Sequence, residues 1–190
     1  IQELKYDIVE LKDYAPDPFF AEWVERLHDN EALATPVGES RELLYRAGLA
    51  AWEVDAVKRA LGVDIALYHR GGIRFNPMPS TQISVGDIYG LEPFSSTIYT
   101  MTMTPAQLRQ MIITKYNDTE NPKESHSLDI YSNIPYTIYT DAAGEAVDVE
   151  FVGLNEEEKY SVAMGDYMYA NYKGIEAENV ATEGILLTDI

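Results

Sequence analysis

The chain has no cysteine among its 190 residues. That excludes a disulfide framework and any thiolate metal site. Histidine is scarce: His28, His69 and His126 are the three, and none sits in an Asp-x-His, Gly-Asn-His-Glu or His-x-His arrangement. Two-metal hydrolysis needs clustered carboxylate, His and Asn ligands that also activate water, so the sequence patterns for that chemistry are missing. Positive charge is sparse too. Fourteen Lys and Arg stand against 32 Asp and Glu, for a net charge of −18. Such a surface repels nucleic-acid backbones and anionic lipid, which argues against polymeric DNA or RNA as a partner. There is no Walker phosphate loop and no Gly-x-Ser-x-Gly elbow. No signal peptide, membrane-spanning run or lipidation motif is visible. The chain begins at Ile1, and Thr188-Asp189-Ile190 reads like the first turn of a further helix. We therefore expect a processed or trimmed fragment, from which a signal sequence could have been removed.

The length suffices for one good core, and the apolar content of 46% is ordinary for a globular domain. Residues 3–11 read as a strand or extended arm. Asp17-Pro18 opens a helix, with Asp as N-cap and Pro at N1. Phe20, Trp23, Val24 and Leu27 repeat at helical spacing and predict a buried face. Ser40 is expected to cap a long helix that runs to Leu61, with Leu44, Ala47, Ala51, Val54 and Leu61 inward and Gly62 ending it. Ser84 to Tyr89 reads as a short helical turn. Thr97 to Met103 alternates as a strand, and Thr104-Pro105-Ala106-Gln107 is a capping box whose helix buries Leu108, Met111 and Ile112. Residues 117–126 form a polar loop. Strands are expected over 128–131, 135–140, 147–152 and 159–164, followed by a short tyrosine-rich helix or turn from Gly165. No repeat or low-complexity linker interrupts this order. Strands and helices alternate early and strands cluster late, which predicts a single α+β domain with a mixed sheet flanked by helices.

Residues 64–103 carry the most information. The apolar run Ile65-Ala66-Leu67-Tyr68 ends at Gly71 and Gly72, and Arg74 follows at once. Paired glycines let a backbone approach a ligand closely or take positive φ. An arginine beside them presents a planar fork suited to phosphate or carboxylate. Taken alone, the stretch predicts a strand, an anion-reading turn and a second strand. The competing reading pairs Arg74 with one of the many local acids.

The ordered set Gly71-Gly72-Ile73-Arg74, Gly86-Asp87-Ile88-Tyr89 and Pro93-Phe94, followed by a strand and a helix, resembles the C-terminal, substrate-binding domain of the 5'-nucleotidases. The resemblance runs from about residue 36 to the end. It implies a division into an N-terminal arm and helix over 1–35 and a nucleotide-binding domain over 36–190. It also implies that a base is clamped between two aromatic rings. Tyr131-Ser132-Asn133 and Val162-Ala163-Met164-Gly165-Asp166-Tyr167 match the two segments, so the expected clamp is Tyr131 with Tyr167, with Asn133 reading a base edge and Asp166 nearby. Fourteen tyrosines make any single one unremarkable, and most such residues line sheet rims.

The resemblance further implies that Arg74, Gly71 and Gly72 engage the phosphate or ribose side. Arg70 stands where the family more often has a small residue, and either adds positive charge or points to solvent. One departure stands out. Asn171-Tyr172-Lys173-Gly174-Ile175 occupies the family's Gly-Gly-Asp-Gly turn, so Lys173 replaces an acidic residue. Hydrolysis in this family uses two divalent metals held in a separate N-terminal domain. The resemblance therefore implies no cofactor in this chain, a metallophosphoesterase domain in cis or as a partner, a nucleotide or nucleoside ligand, and a periplasmic or cell-surface location. The alternative is a non-catalytic module of the same ancestry that binds a ligand or a protein.

Overall fold

The computed structural model describes residue 12, residues 14–120 and residues 124–190. The strand expected over 3–11 lies outside the described residues. In chain order the elements are α1 (Pro18–His28), α2 (Glu31–Ala34), β1 (Pro36–Glu39), α3 (Arg46–Leu61), β2 (Ile65–His69), a 3-10 turn over Arg70–Gly72, β3 (Gln82–Ser84), α4 (Val85–Leu91), β4 (Thr97–Met103), α5 (Pro105–Asn117), β5 (Ile130–Ser132), β6 (Tyr136–Thr140), β7 (Ala146–Phe151), β8 (Tyr160–Gly165), α6 (Asp166–Asn171) and β9 (Glu178–Leu186).

Local chemistry explains where most helices begin. The Asp17 carboxylate accepts the Phe19 and Phe20 N–H groups ahead of α1. Ser84 and Asp87 form a full capping box on α4, and Thr104 and Gln107 form one on α5. Gly62, at φ 65°, ends α3 in the left-handed conformation that a side chain would disfavour.

Five strands form one sheet in the order β5-β2-β8-β4-β9. The β2–β8 pair is parallel and the other pairs are antiparallel, so the sheet is mixed. Every residue of β2 is buried, because both of its faces are covered. Ala66, Tyr68 and Ala163 pack against Leu49, Val54 and Val57 of α3 and Leu91 of α4. Ile65, Leu67, Val162 and Met164 pack on the opposite face against Leu108, Met111 and Ile112 of α5, Met168 of α6 and Val149 of the β6–β7 hairpin. The alternation of side chains along β2 and β8 thus fills two cores from one sheet.

Four expectations are corrected. The apolar stripe of α1 is not buried: Phe20, Trp23, Val24 and Leu27 are all exposed. The helical period is correct, but none of the described residues covers that face. Next, α3 starts at Arg46 rather than near Ser40. The Ser40 hydroxyl donates to the Glu42 carbonyl at 2.6 Å, and the Arg46 N–H donates to Asn76 Oδ1 at 3.1 Å. The buried side of α3 is Leu49, Ala50, Glu53, Val54 and Val57, while Ala47 and Ala51 face solvent. No strand follows the glycine turn directly; the chain runs irregularly to β3. Finally, β9 has no counterpart among the expected strands. All but its last residue are exposed, so it carries no burial pattern and forms by pairing with β4.

Glu53 is the oddity of the α3 face. It is 6% exposed, and neither carboxylate oxygen has a hydrogen-bond partner among the described residues. Burial, reinforced by the charge of nearby Glu92, pushes its carboxyl up to about 8. Glu92 is as buried, but it accepts from the Tyr68 hydroxyl at 3.2 Å and from the Ser96 hydroxyl at 2.7 Å. The folded state therefore keeps the Glu53 proton across a window, from the ordinary value of 4.5 to about 8, in which the unfolded chain has released it. Stability contributed this way falls as pH rises through that window. We expect Glu53→Gln to stabilise the chain progressively relative to wild type between about pH 5 and about pH 9, by a few kcal/mol at the upper end. Urea unfolding of both proteins at the two pH values checks this. A difference that does not change with pH would show that Glu53 is not the buried proton acceptor.

Candidate functional site

The site forms where β2, β4 and β8 deliver their ends. β2 delivers His69, and the 3-10 turn carries the chain back past Gly71 to Arg74. β8 runs straight into α6, whose first two residues are Asp166 and Tyr167. Phe94 and Ser96 come from the segment before β4. Together His69, Gly71, Arg74, Phe94, Ser96, Glu124, Asp166, Tyr167 and Ala170 line a cavity of about 570 Å³. Its two large rings are open to a ligand: Phe94 is 55% exposed and Tyr167 is 48% exposed.

Each ring is held by a neighbour. Tyr167 stacks on the His69 imidazole with centroids 4.6 Å apart and planes 24° apart. The Arg74 guanidinium lies 5.5 Å from the Phe94 centroid, and its Nη1 donates to the Gly71 carbonyl at 3.4 Å. Asp166 accepts the Tyr167 N–H at 2.7 Å and the Thr97 N–H and hydroxyl at 3.2 and 3.1 Å. Burial lowers the pKa of His69, against the raising effect of Asp129 and Glu124, so its ring is neutral at neutral pH.

A second, more polar cleft of about 350 Å³ adjoins the first and shares Gly71, Arg74 and Glu124 with it. Arg46, Arg70, Ile73, Ser127 and Asp129 complete its lining. Its two acids join a partly buried network. The Tyr172 hydroxyl donates to Asp129. The Lys115 ammonium lies 2.6 Å from Glu124, 3.7 Å from Asp129 and 4.7 Å above the Tyr172 ring. Burial alone would lower the Lys115 pKa, but Glu124 and Asp129 raise it. Burial, followed by the Asp129 charge, holds the Tyr172 phenol far above its ordinary range.

The structure brings together Arg74, Gly71, Asp166 and Tyr167, and sets Arg70 in the adjoining cleft. It separates three other residues from the cavity. Tyr131 is paired with Tyr68 across β5 and β2 and, half-buried, packs against the core on the α3 side; it does not line the cavity that Tyr167 lines. The side-chain amide of Asn133 is committed to the backbone at the start of β2 and of Asp64 just before it. Its Oδ1 accepts the Ala66 N–H at 2.6 Å, and its Nδ2 donates to the Asp64 carbonyl at 3.1 Å. Gly72 is buried, and a Cβ there would fall 2.4 Å from the Tyr68 ring, so this glycine serves packing. Neither Gly71 nor Gly72 has positive φ. Lys173 pairs with Glu120 at 2.7 Å and Asp118 at 3.5 Å and does not line the cavity.

Phe94, Ser96 and Glu124 are site residues that sequence reasoning missed. For Phe94 a signal existed, since Pro93-Phe94 belongs to the ordered motif set. Ser96 and Glu124 sit in segments without pattern, and only folding places them. A separate, largely apolar cavity of about 350 Å³ between α3 and α4 includes Trp52, Glu53, Tyr89 and Leu187 but no basic residue. Among the described residues no group of three or more His, Asp and Glu side chains could hold a metal ion. No helix among them is long and apolar enough to cross a membrane.

A sequence profile of the family "5'-nucleotidase, C-terminal domain" matches residues 32–179. The chain therefore belongs to the C-terminal domain family of the 5'-nucleotidases. Solved structures show the same fold at low identity. A 5'-nucleotidase precursor from Thermus thermophilus superposes with a TM-score of 0.69 at 22% identity, over 92% of this chain and 39% of that one. The NAD nucleotidase of Haemophilus influenzae gives 0.61 at 17%, over 92% and 35%. A sulfate thiohydrolase from Thermus thermophilus, in complex with glycerol, gives 0.65 at 16%, over 94% and 36%. The chain thus spans less than half the length of these proteins. No curated protein matches it.

The geometry of Asn133 yields a test. Asn133→Ala removes two hydrogen bonds and strands the Ala66 N–H, so it should destabilise the chain by about 1–3 kcal/mol. Ligand affinity per folded molecule should not change. Chemical denaturation beside a binding titration checks both halves. Normal stability with weakened binding would return Asn133 to the ligand.

Proposed function

We propose that this chain is the nucleotide- or nucleoside-binding part of a 5'-nucleotidase-type phosphohydrolase. One observation carries the reading: two exposed aromatic rings, an arginine and a glycine turn converge on one cavity of about 570 Å³. A base stacks between Phe94 and Tyr167, and Arg74 with Gly71 takes the ribose or phosphate side. Phe94 takes the place of Tyr131 in the clamp that the family resemblance implies. Asp166 positions Tyr167 and the start of β4 through its three hydrogen bonds.

The phosphate chemistry belongs elsewhere in this reading. Divalent metals would be held by a metallophosphoesterase domain, either on the same polypeptide or on a partner. One fact supports this: the chain spans about two fifths of the Thermus 5'-nucleotidase precursor. A periplasmic or cell-surface location follows from the family resemblance. Lys173 favours a second reading, a non-catalytic ligand-binding module, because it stands where the resemblance implies an acid and is paired outside the cavity.

Titration calorimetry with adenosine tests the clamp. Phe94→Ala and Tyr167→Ala should each cost about 1–3 kcal/mol of binding, the range for loss of one stacking ring. Tyr131→Ala should instead lower the melting temperature and spare the affinity. A Phe94→Ala protein that binds as well as wild type would break the clamp.

A second measurement addresses the chemistry. The purified chain should release no phosphate from AMP when manganese or zinc is added. Turnover that scales with metal in clean preparations would place the catalytic centre in this chain after all.

A further inference from the structure

The cavity of about 350 Å³ between α3 and α4 shares no lining residue with the aromatic cavity or with the arginine cleft. Its volume suits one small organic molecule. Val57, Ile88, Leu91 and Leu187 give it apolar walls, and Trp52 and Tyr89 add two exposed rings. Three acids also line it: Glu53 from α3, Glu92 from the end of α4, and Asp189 from a 3-10 turn over Leu187–Asp189. No lysine, arginine or histidine does.

Glu53 distinguishes this cavity from a packing gap. Both of its carboxyl oxygens are shielded from water and lack a hydrogen-bond partner among the described residues, as does the Thr188 hydroxyl beside them in the lining. Native structures rarely leave buried polar groups unsatisfied unless something else completes them. Glu92 has no such want, because the hydroxyls of Tyr68 and Ser96 donate to it. The ionisable groups around Glu53 are Glu92, the Tyr68 phenol of β2 and, in the cavity, Tyr89 and Asp189. None of them can carry a positive charge.

A guest that completes this lining must therefore bring one. A bare metal ion does not fit, since among the described residues no group of three or more His, Asp and Glu side chains could hold it, and the walls are apolar. An organic ammonium fits both halves of the surface. Its hydrocarbon covers the walls, and its charge meets the acids and the ring faces.

We propose that this cavity is a second binding site, for a small apolar ammonium compound whose nitrogen pairs with the Glu53 carboxylate. Without a guest Glu53 keeps its proton, because burial pushes its carboxyl up to about 8. The guest takes the ionised form, so the carboxyl proton leaves to solvent as the ion pair forms. Affinity should then rise about tenfold per pH unit up to about pH 8 and level off above it.

An NMR shift titration of the chain with phenethylamine, phenethyl alcohol and hydrocinnamate tests this at about pH 6, 7 and 8. The three probes share a phenyl ring and differ in the charge at the far end. Phenethylamine should bind about tenfold or more tighter than the alcohol at the highest pH, as expected for a charge-assisted hydrogen bond, and hydrocinnamate weakest. Shifts should centre on Ala56, Leu187 and Ile190. Glu53→Gln should abolish the pH dependence and bring the amine down to the alcohol. Ala56→Leu, which narrows the cavity and leaves the carboxyl in place, should weaken the amine at every pH, so the test survives a Glu53 variant that fails to fold. Equal binding of amine and alcohol overturns the inference, as does amine binding that ignores pH or survives Glu53→Gln. Shifts that gather at Tyr167 and Ala170 instead, or no shift with any probe, overturn it too. None of these outcomes touches the nucleotide reading, which concerns a different cavity.

Discussion

The ring of Tyr68 is the contact on which the site depends. It is 3% exposed near the end of β2, and its hydroxyl is fixed on Glu92. Two backbones close on it. A Cβ at Gly72 would lie 2.4 Å from the ring, and one at Gly165 would lie 3.1 Å from it. The first glycine belongs to the turn that leads to Arg74. The second immediately precedes Asp166 and Tyr167. One buried phenol thus sets the spacing between the arginine and the aromatic ring of the cavity. Because interiors pack at near-crystalline density, that spacing is rigid.

Charge is managed by a different device at each buried acid. Glu92 is satisfied by hydroxyl donors, Glu53 keeps its proton, and Asp129 shares Lys115 and the Tyr172 hydroxyl. Each solution avoids an isolated buried charge, whose cost would exceed the stability of a whole domain. The consequence at the surface is local. Lys115 offsets one of the two acids beside the cleft, so Arg46, Arg70 and Arg74 outnumber the acid that is left in a molecule whose overall field repels anions. Attraction for an anionic ligand is therefore short-ranged, and added salt should screen the repulsive background first.

The fold alone leaves the ligand open. Among the structural relatives, one is a 5'-nucleotidase precursor, one a NAD nucleotidase and one a sulfate thiohydrolase. One scaffold carries different names because function resides in the side chains at strand ends and not in the sheet. In this chain those side chains include His69 and Arg70, side by side before the glycines, and they give the cavity a stacking floor and the cleft an extra cation.

The sequence by itself determined the elements whose causes are local. The capping box at Thr104, Pro18 after Asp17, and Gly62 after α3 each act within four residues, and each stands where the sequence placed it; the short helical turn read from Ser84 is α4. The family and the α+β class were also legible, through the glycine–arginine turn and the order of motifs around it. Tertiary structure decided what depends on distant partners. It left the apolar stripe of α1 uncovered by any described residue, although its period was plain. It recruited β9 through β4, although β9 has no burial pattern of its own. It packed the half-buried Tyr131 against the core and spent the Asn133 amide on the backbone of Asp64 and Ala66, while Phe94 lines the cavity with Tyr167. A side chain's period shows which face it shares with its neighbours. Only the packed sheet decides whether that face meets a core, a cavity or water.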